Sequence, residues 1–413
     1  MRSRAHLVLS RLAAAAIPLS IGLAPEWILT PVLAQALKDR NCTGKSDVPY
    51  EQQILGCSDA IKSGNFAGKD LADAFSNRGW AYFGSGNIDR AIADYDEAIR
   101  LEPADANAFN NRGVAYDARG ELDRAITDFD QALQLDPTYA VAINNRGRAY
   151  QAKGEIDHAI ADYGQAIILN PSYAMAYRNR GGAYQLKGDY DRALADYDAA
   201  LRIDPNSSRA YDSRGSLYGS KGDIDRAIAD YDQAIRLDPG LAHAYSNRGS
   251  AYTDKGDYNR ALADLDQAIN LDPSSAQSRY NRAVVYTIKK DFDRAIADYD
   301  QAIRLQPGLV LAWNNRGFAY MGKNDPDRAI ADYSEAIRLN PKFAVAYNNR
   351  GTSFARKKDY ARAIADYSEA VRLDPDYAKA LFRRGKVKRL NGDQAGGDAD
   401  IVAAKKIDPD LVE

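Results

Sequence analysis

The chain has 413 residues, 45% of them apolar, and its 55 Lys and Arg nearly balance its 57 Asp and Glu, giving a formal net charge of −2. That balance excludes a strongly basic nucleic-acid binder and an acidic disordered tail, while the apolar share suffices for a core. Two cysteines and three histidines leave little for metal clusters, zinc-hydrolase chemistry or histidine relays.

The first predicted element is a signal peptide at 1–36. Arg2, Arg4 and Arg11 precede an apolar stretch at 12–24, and Ala34-Gln35-Ala36 supplies a small-x-small cleavage site. Pro25 and Glu26 interrupt the run short of the roughly 20 apolar residues that a spanning helix needs, which disfavours a retained anchor. The mature chain is therefore expected outside the cytoplasm, periplasmic or secreted, with no transmembrane segment. Residues 37–71 form the next predicted element, an N-terminal cap. Cys42 and Cys57, 15 residues apart, are expected to pair in an exported chain. Residues 51–61 match the second helix of the later units, such as 89–99, and predict a half-repeat with Cys57 in the aromatic position.

From residue 72 to 411 the sequence repeats every 34 residues, leaving a two-residue tail at 412–413. Prolines stand at 103, 137, 171, 205, 239, 273, 307, 341, 375 and 409. With Pro taken as position 32, position 8 is Gly in nine units, Ala283 being the exception, and position 27 is Ala in all ten. Position 20 is Ala until Gly397, and position 11 is aromatic until Lys388. Each unit reads as two helices. The first, 106–119 for example, ends at a glycine such as Gly120, and an Asp such as Asp189 or Asp223 caps the second. Small residues such as Gly113 and Ala125 let the pair approach, with Phe109, Tyr116 and Phe129 around them. One hairpin cannot bury its apolar face alone, so the units are expected to stack into a continuous core.

The unit length and the aromatic-Gly-aromatic, Ala-aromatic-Ala, Pro pattern resemble the tetratricopeptide repeat family. The resemblance covers 72–411 and implies an all-α fold, a right-handed α-solenoid of helix-turn-helix units whose concave groove is lined by the first helices. It also implies binding of peptide or protein partners.

One departure from that family pattern recurs in every unit, at position 7, and position 23 is constant with it. Position 7 is Arg in all ten units, from Arg78 to Arg384, and position 23 is Asp in all ten, from Asp94 to Asp400. Across an antiparallel hairpin these face each other and predict a structural ladder of Arg–Asp pairs in preference to an anion-binding one. Asn at position 6, such as Asn77 and Asn111, is read as a local hydrogen-bonding residue. Catalytic signals are missing. Asp39 stands where a phosphate loop ending in Gly44-Lys45-Ser46 would need Gly. His6, His158 and His243 stand apart from one another and read as surface residues, and no metal or cofactor is expected.

Specificity must then lie at positions 2, 5, 9, 12 and 13 of the first helices, which vary between units. Units four to six offer polar residues, among them Arg178, Arg209, Asp212, Ser216, His243, Ser246, Thr253 and Asp254. Units seven and eight offer Tyr280, Val284, Ile288, Leu311, Phe318 and Met321, a candidate apolar anchor site, with packing between neighbouring first helices as the competing reading. Unit ten, with Arg356 before it, collects Lys379, Arg383, Lys386, Lys388 and Arg389. That is either a basic docking end for an acidic partner or the solvated face of a terminal cap. No unit has Lys at position 5 with Asn at position 9, the carboxylate clamp of chaperone-binding members. The sequence thus points to a non-catalytic protein-interaction scaffold in the bacterial cell envelope. An assembly factor for outer-membrane or polysaccharide-export machinery is the alternative, and a hydrolase a more distant one.

Overall fold

A computed structural model describes residues 41, 42 and 48–411. The predicted signal at 1–36 and the tail 412–413 lie outside the described residues, which form 21 helices and no strand. Every 34-residue unit is a helical hairpin, as the periodicity predicts.

The second helices show why. In Ile224–Leu237, the Asp223 side chain accepts from the Arg226 backbone N–H, Asp225 sits in the first turn and Arg236 in the last. The cap satisfies an orphan donor and the end charges oppose the helix dipole. Ala227, Asp230, Tyr231 and Ala234 are buried along one stripe. First helices bury more of their circumference. In Ala242–Asp254 the buried set is Ala244, Ser246, Gly249, Ala251 and Tyr252.

Position 8 sets the closeness of each hairpin. A Cβ on Gly113 would come within 2.7 Å of the Phe129 ring. The turn after the first helix needs a left-handed residue, which Gly120 supplies with φ 81°. In repeats seven to nine the same place is held by Lys290, Asn324 and Lys358, with φ of 61°, 61° and 63°.

Contacts divide the chain into a unit ending at Leu169 and a second beginning at Asn170. In the first, helix Tyr50–Ser63 packs on Gly68–Gly84, and each helix thereafter packs on the next. The Cys42–Cys57 disulfide is present, Cys57 is fully buried, and Asn77 Nδ2 donates to the Cys42 carbonyl at 3.2 Å. The second unit runs from Ala174–Leu186 to Gln394–Ile407. Within either unit, first helices of successive repeats approach one another directly, whereas among the described residues successive second helices do not. The first helices therefore form the crowded inner layer of each stack.

Candidate partner-binding site

The predicted ladder forms at all ten rungs. It is bidentate: Arg248 Nε donates to Asp264 Oδ2 and Nη2 to Oδ1, both at 2.7 Å. The third donor was not foreseen. Arg248 Nη1 reaches back to Asp232 of the preceding repeat at 2.6 Å. Arg112, Arg146, Arg214, Arg282 and Arg316 do the same with Asp96, Asp130, Asp198, Asp266 and Asp300. For Arg350, Arg384 and Arg78 the acceptor is a hydroxyl, on Ser334, Ser368 and Ser58. Asp94 and Asp96, two residues apart, thus serve different repeats. The Arg248 guanidinium also lies 5.7 Å and 5.9 Å from the Tyr245 and Tyr252 ring centres. Its hydrogen bond to Asp264 holds its pKa above the ordinary arginine range. With donors and faces occupied, these arginines bind the fold together.

Position 6 extends an expectation. Asn111, Asn281, Asn315 and Asn349 accept at Oδ1 from Asn110, Gln277, Asn314 and Asn348 of their own helices, the local bonding expected. Asn145, Asn247, Asn281, Asn315 and Asn349 bond across repeats as well. Each Nδ2 donates to position 5 of the preceding repeat: Asn110, Asp212, Ser246, Tyr280 and Asn314 respectively. A residue separation of 35 in every case fixes the register in which neighbouring first helices lie side by side.

That register leaves the predicted apolar set divided. Phe318, Leu311 and Ile288 are exposed at 53%, 47% and 45%. Tyr280 and Val284 are partly buried against Ala283, Tyr286 and Tyr299, and Met321 packs beside Tyr320 and Tyr333. The Tyr280 hydroxyl accepts from Asn315 at 3.1 Å. For these three, packing between helices is what the structure shows. Val345, which sequence reasoning missed, is exposed at position 2 of repeat nine. The signal was available: the same position is Leu311 in the repeat before it.

At the basic end, Lys379, Lys386 and Arg356 are exposed and Arg383 is partly so. Lys388 and Arg389 are instead neutralised, by Asp400 at 2.9 Å and by Asp398. The polar stretch of repeats four to six centres on Asp212, which accepts from Asn247 at 3.0 Å. Burial pushes the Asp212 carboxyl up from its ordinary value, and Asn247, His243 and Arg178 oppose that shift. His158 is exposed and bonded to Glu155.

Among the described residues no group of His, Cys, Asp and Glu could hold a metal ion, and no helix is long and apolar enough to cross a membrane. Tetratricopeptide repeat profiles match residues 76–140, 144–208 and 315–393, a profile described as TPR repeat matches 215–253 and 249–287, and a further tetratricopeptide repeat profile matches 276–309. Among solved structures the chain is similar to a tetratricopeptide repeat protein from Parabacteroides merdae. The two are 22% identical over 60% of this chain and 98% of that one, with a TM-score of 0.50. It is also similar to a chain of the APC/C hetero-tetramer Cut9–Hcn1, 14% identical over 94% of this chain and 95% of that one, with a TM-score of 0.53. These likenesses concern the fold. No curated protein matches the sequence.

Proposed function

The chain belongs to the tetratricopeptide repeat family, whose members generally mediate protein–protein interactions, and from that premise we propose that it is a non-catalytic interaction scaffold of the bacterial cell envelope. It holds a protein or peptide partner on the inner face made by its first helices, at repeats seven to nine. The observation that carries this reading is Phe318. Its neighbours Gly317 and Ala319 are buried in the hairpin, yet the ring between them is more than half exposed on a rigid helix. An exposed aromatic flanked by Leu311 and polar neighbours has the composition of an interface anchor. Export is supported by the Cys42–Cys57 disulfide and by the Arg-led apolar segment at 1–36.

A photo-crosslinking residue placed at 318 in envelope preparations is expected to capture a partner, while one at Arg338, exposed on the second helix of the same repeat, is not. Capture at 338 with none at 318 would remove the inner face as the site. N-terminal sequencing is expected to find the mature chain beginning near Gln35 or Leu37, and an intact Met1 in the envelope fraction would contradict a cleaved signal.

A further inference from the structure

The first helices of the last four repeats, Ala276–Ile288, Val310–Gly322, Ala344–Arg356 and Ala378–Leu390, contain no Asp or Glu. In this region the ladder arginines, Lys388 and Arg389 are met by carboxylates of the second helices. Five other cations of these helices have no ion pair among the described residues: Arg279 in repeat seven, whose Nη2 donates to the Pro273 carbonyl at 3.0 Å, and Arg356, Lys379, Arg383 and Lys386, grouped at the end of repeat nine and in repeat ten. Arg356 Nη1 donates to the Met321 carbonyl at 3.0 Å and Arg383 Nη1 to Thr352 Oγ1 at 3.3 Å, both neutral acceptors. Lys386 Nζ lies 5.5 Å from the Phe382 ring centre.

Their placement matters as much as their lack of partners. The bonds from Asn349 to Asn314 and from Arg356 to Met321 both span 35 residues, so equivalent positions of these helices lie beside one another. Phe318, Thr352 and Lys386 share position 9, and Leu311, Val345 and Lys379 share position 2. From repeat eight to repeat ten the same two rows therefore change from apolar to cationic. At about 8–10 Å between packed helices, Phe318 and Lys386 stand on the order of 16–20 Å apart. Extended chain covers that distance in about five or six residues.

We infer that the ligand of this face is an acidic protein segment with an apolar anchor. One or two large apolar side chains seat on Phe318 and Leu311, and carboxylates about five or six residues away meet Lys379 and Lys386. A purely apolar segment would leave the four grouped cations facing no counter-charge. An anionic polysaccharide would engage the cations and leave Phe318 and Leu311 in water. Only the combined chemistry matches both ends of the rows. This inference rests on the proposal above that the inner face binds a partner.

The full mature chain, immobilised, is panned against a phage-displayed library of random peptides, and the selected peptides are labelled for fluorescence anisotropy. Selected sequences are expected to place Asp or Glu about five or six residues from Leu, Ile, Phe or Met. Charge reversal by Lys379→Glu with Lys386→Glu, and separately Phe318→Ala, should each weaken the same peptides about tenfold or more. Raising salt from about 0.05 to 0.3 M should weaken them as well. All three substituted positions are exposed, and unchanged circular dichroism confirms that the variants fold. Peptides that need Phe318 but ignore both charge reversal and salt overturn this inference and leave the groove proposal standing. Peptides indifferent to Phe318→Ala, or a library with no binder, overturn the groove proposal and this inference with it. Heparin serves as the polyanion probe. If it binds through Lys379 and Lys386, is untouched by Phe318→Ala, and no acidic peptide is selected, the cations belong to a polyanion site.

Discussion

Arg248 and Lys386 carry the same charge on first helices four repeats apart, yet they occupy opposite situations. The guanidinium of Arg248 meets Asp264 and Asp232 and lies against two rings, in a row repeated through the whole array. The ammonium of Lys386 stands exposed over Phe382, on a layer that holds no carboxylate for four repeats. Position 7 is constant because every hairpin needs the same bond. Position 9 runs through Trp80, Val114, Arg148, Gly182, Ser216, Ser250, Val284, Phe318, Thr352 and Lys386 because the hairpin does not require one residue type there. A repeated charge with a repeated partner is thus architecture, and an unrepeated charge without one is available for recognition.

The strongest way to break this contrast is to unmake a rung. Asp264→Ala is expected to destabilise the protein by about 3 kcal/mol, because both side chains are largely buried and Arg248 keeps only Asp232. Replacing Arg248 by Leu in the same chain should be milder than Asp264→Ala alone. Denaturant unfolding of the wild type, both single variants and the double variant gives the coupling energy. A coupling near zero would mean that the constant rows are not structural bonds.

The ladder shows how far the sequence could be read. Arg at position 7 and Asp at position 23 face each other across the hairpin, and that part follows from the turn near position 15 alone. The second acceptor, at position 25, belongs to the preceding repeat. So does the acceptor of the side-chain N–H of Asn145, Asn247, Asn281, Asn315 and Asn349. Both depend on how neighbouring hairpins stack, which the pattern within one repeat does not encode. The apolar candidates divide for the same reason: Tyr280, Val284 and Met321 look surplus in a single hairpin but are partly covered once the next one is in place. Phe318, Leu311 and Ile288 remained exposed, and hydrophobicity alone could not separate the two groups.

The turns offer a smaller effect, confined to the half of the array that carries the candidate site. Repeats four to six turn on Gly188, Gly222 and Gly256, whereas Lys290 and Lys358 hold the same left-handed conformation with a side chain. Such a residue costs about 1–2 kcal/mol there, and glycine's extra freedom in the unfolded chain returns part of it. Lys290→Gly and Lys358→Gly should therefore each stabilise by about 0.5–1 kcal/mol, seen as a raised melting temperature. A fall in melting temperature would show that the lysine side chains make compensating contacts.

The capping aspartates respond to pH and not to burial. Hydrogen bonds from Arg226, side chain first and then backbone N–H, hold the Asp223 carboxyl below the ordinary carboxylate range. Asp189, Asp291 and Asp359 are lowered in the same way. A depressed folded pKa means that the contribution is present above the unfolded value of about 3.9 and is lost as pH falls through the folded value. Melting temperature should accordingly drop below about pH 4. Asp223→Asn should leave stability at pH 7 almost unchanged, since Asn caps about as well, and should remove that site's share of the acid-induced loss. An unchanged acid profile in the Asn variant would mean that the cap charge contributes nothing.

The smallest effect on stability is expected at the cations of repeat ten, and its smallness is what separates the two regions. Lys386→Glu reverses a charge, a larger electrical change than the loss of Asp264, yet it should alter stability by no more than about 0.5 kcal/mol. The side chain is exposed, its contact with the Phe382 ring is a single cation–aromatic approach, and no ion pair is broken. The reversal even brings a carboxylate near Arg383 and Lys379, which offsets the lost ring contact. If unfolding shows a cost comparable to that of Asp264→Ala, Lys386 is part of the architecture and the inner face of repeat ten has no charge to spare for a partner. If the cost is negligible while affinity for an acidic segment falls about tenfold, the same substitution measures recognition alone.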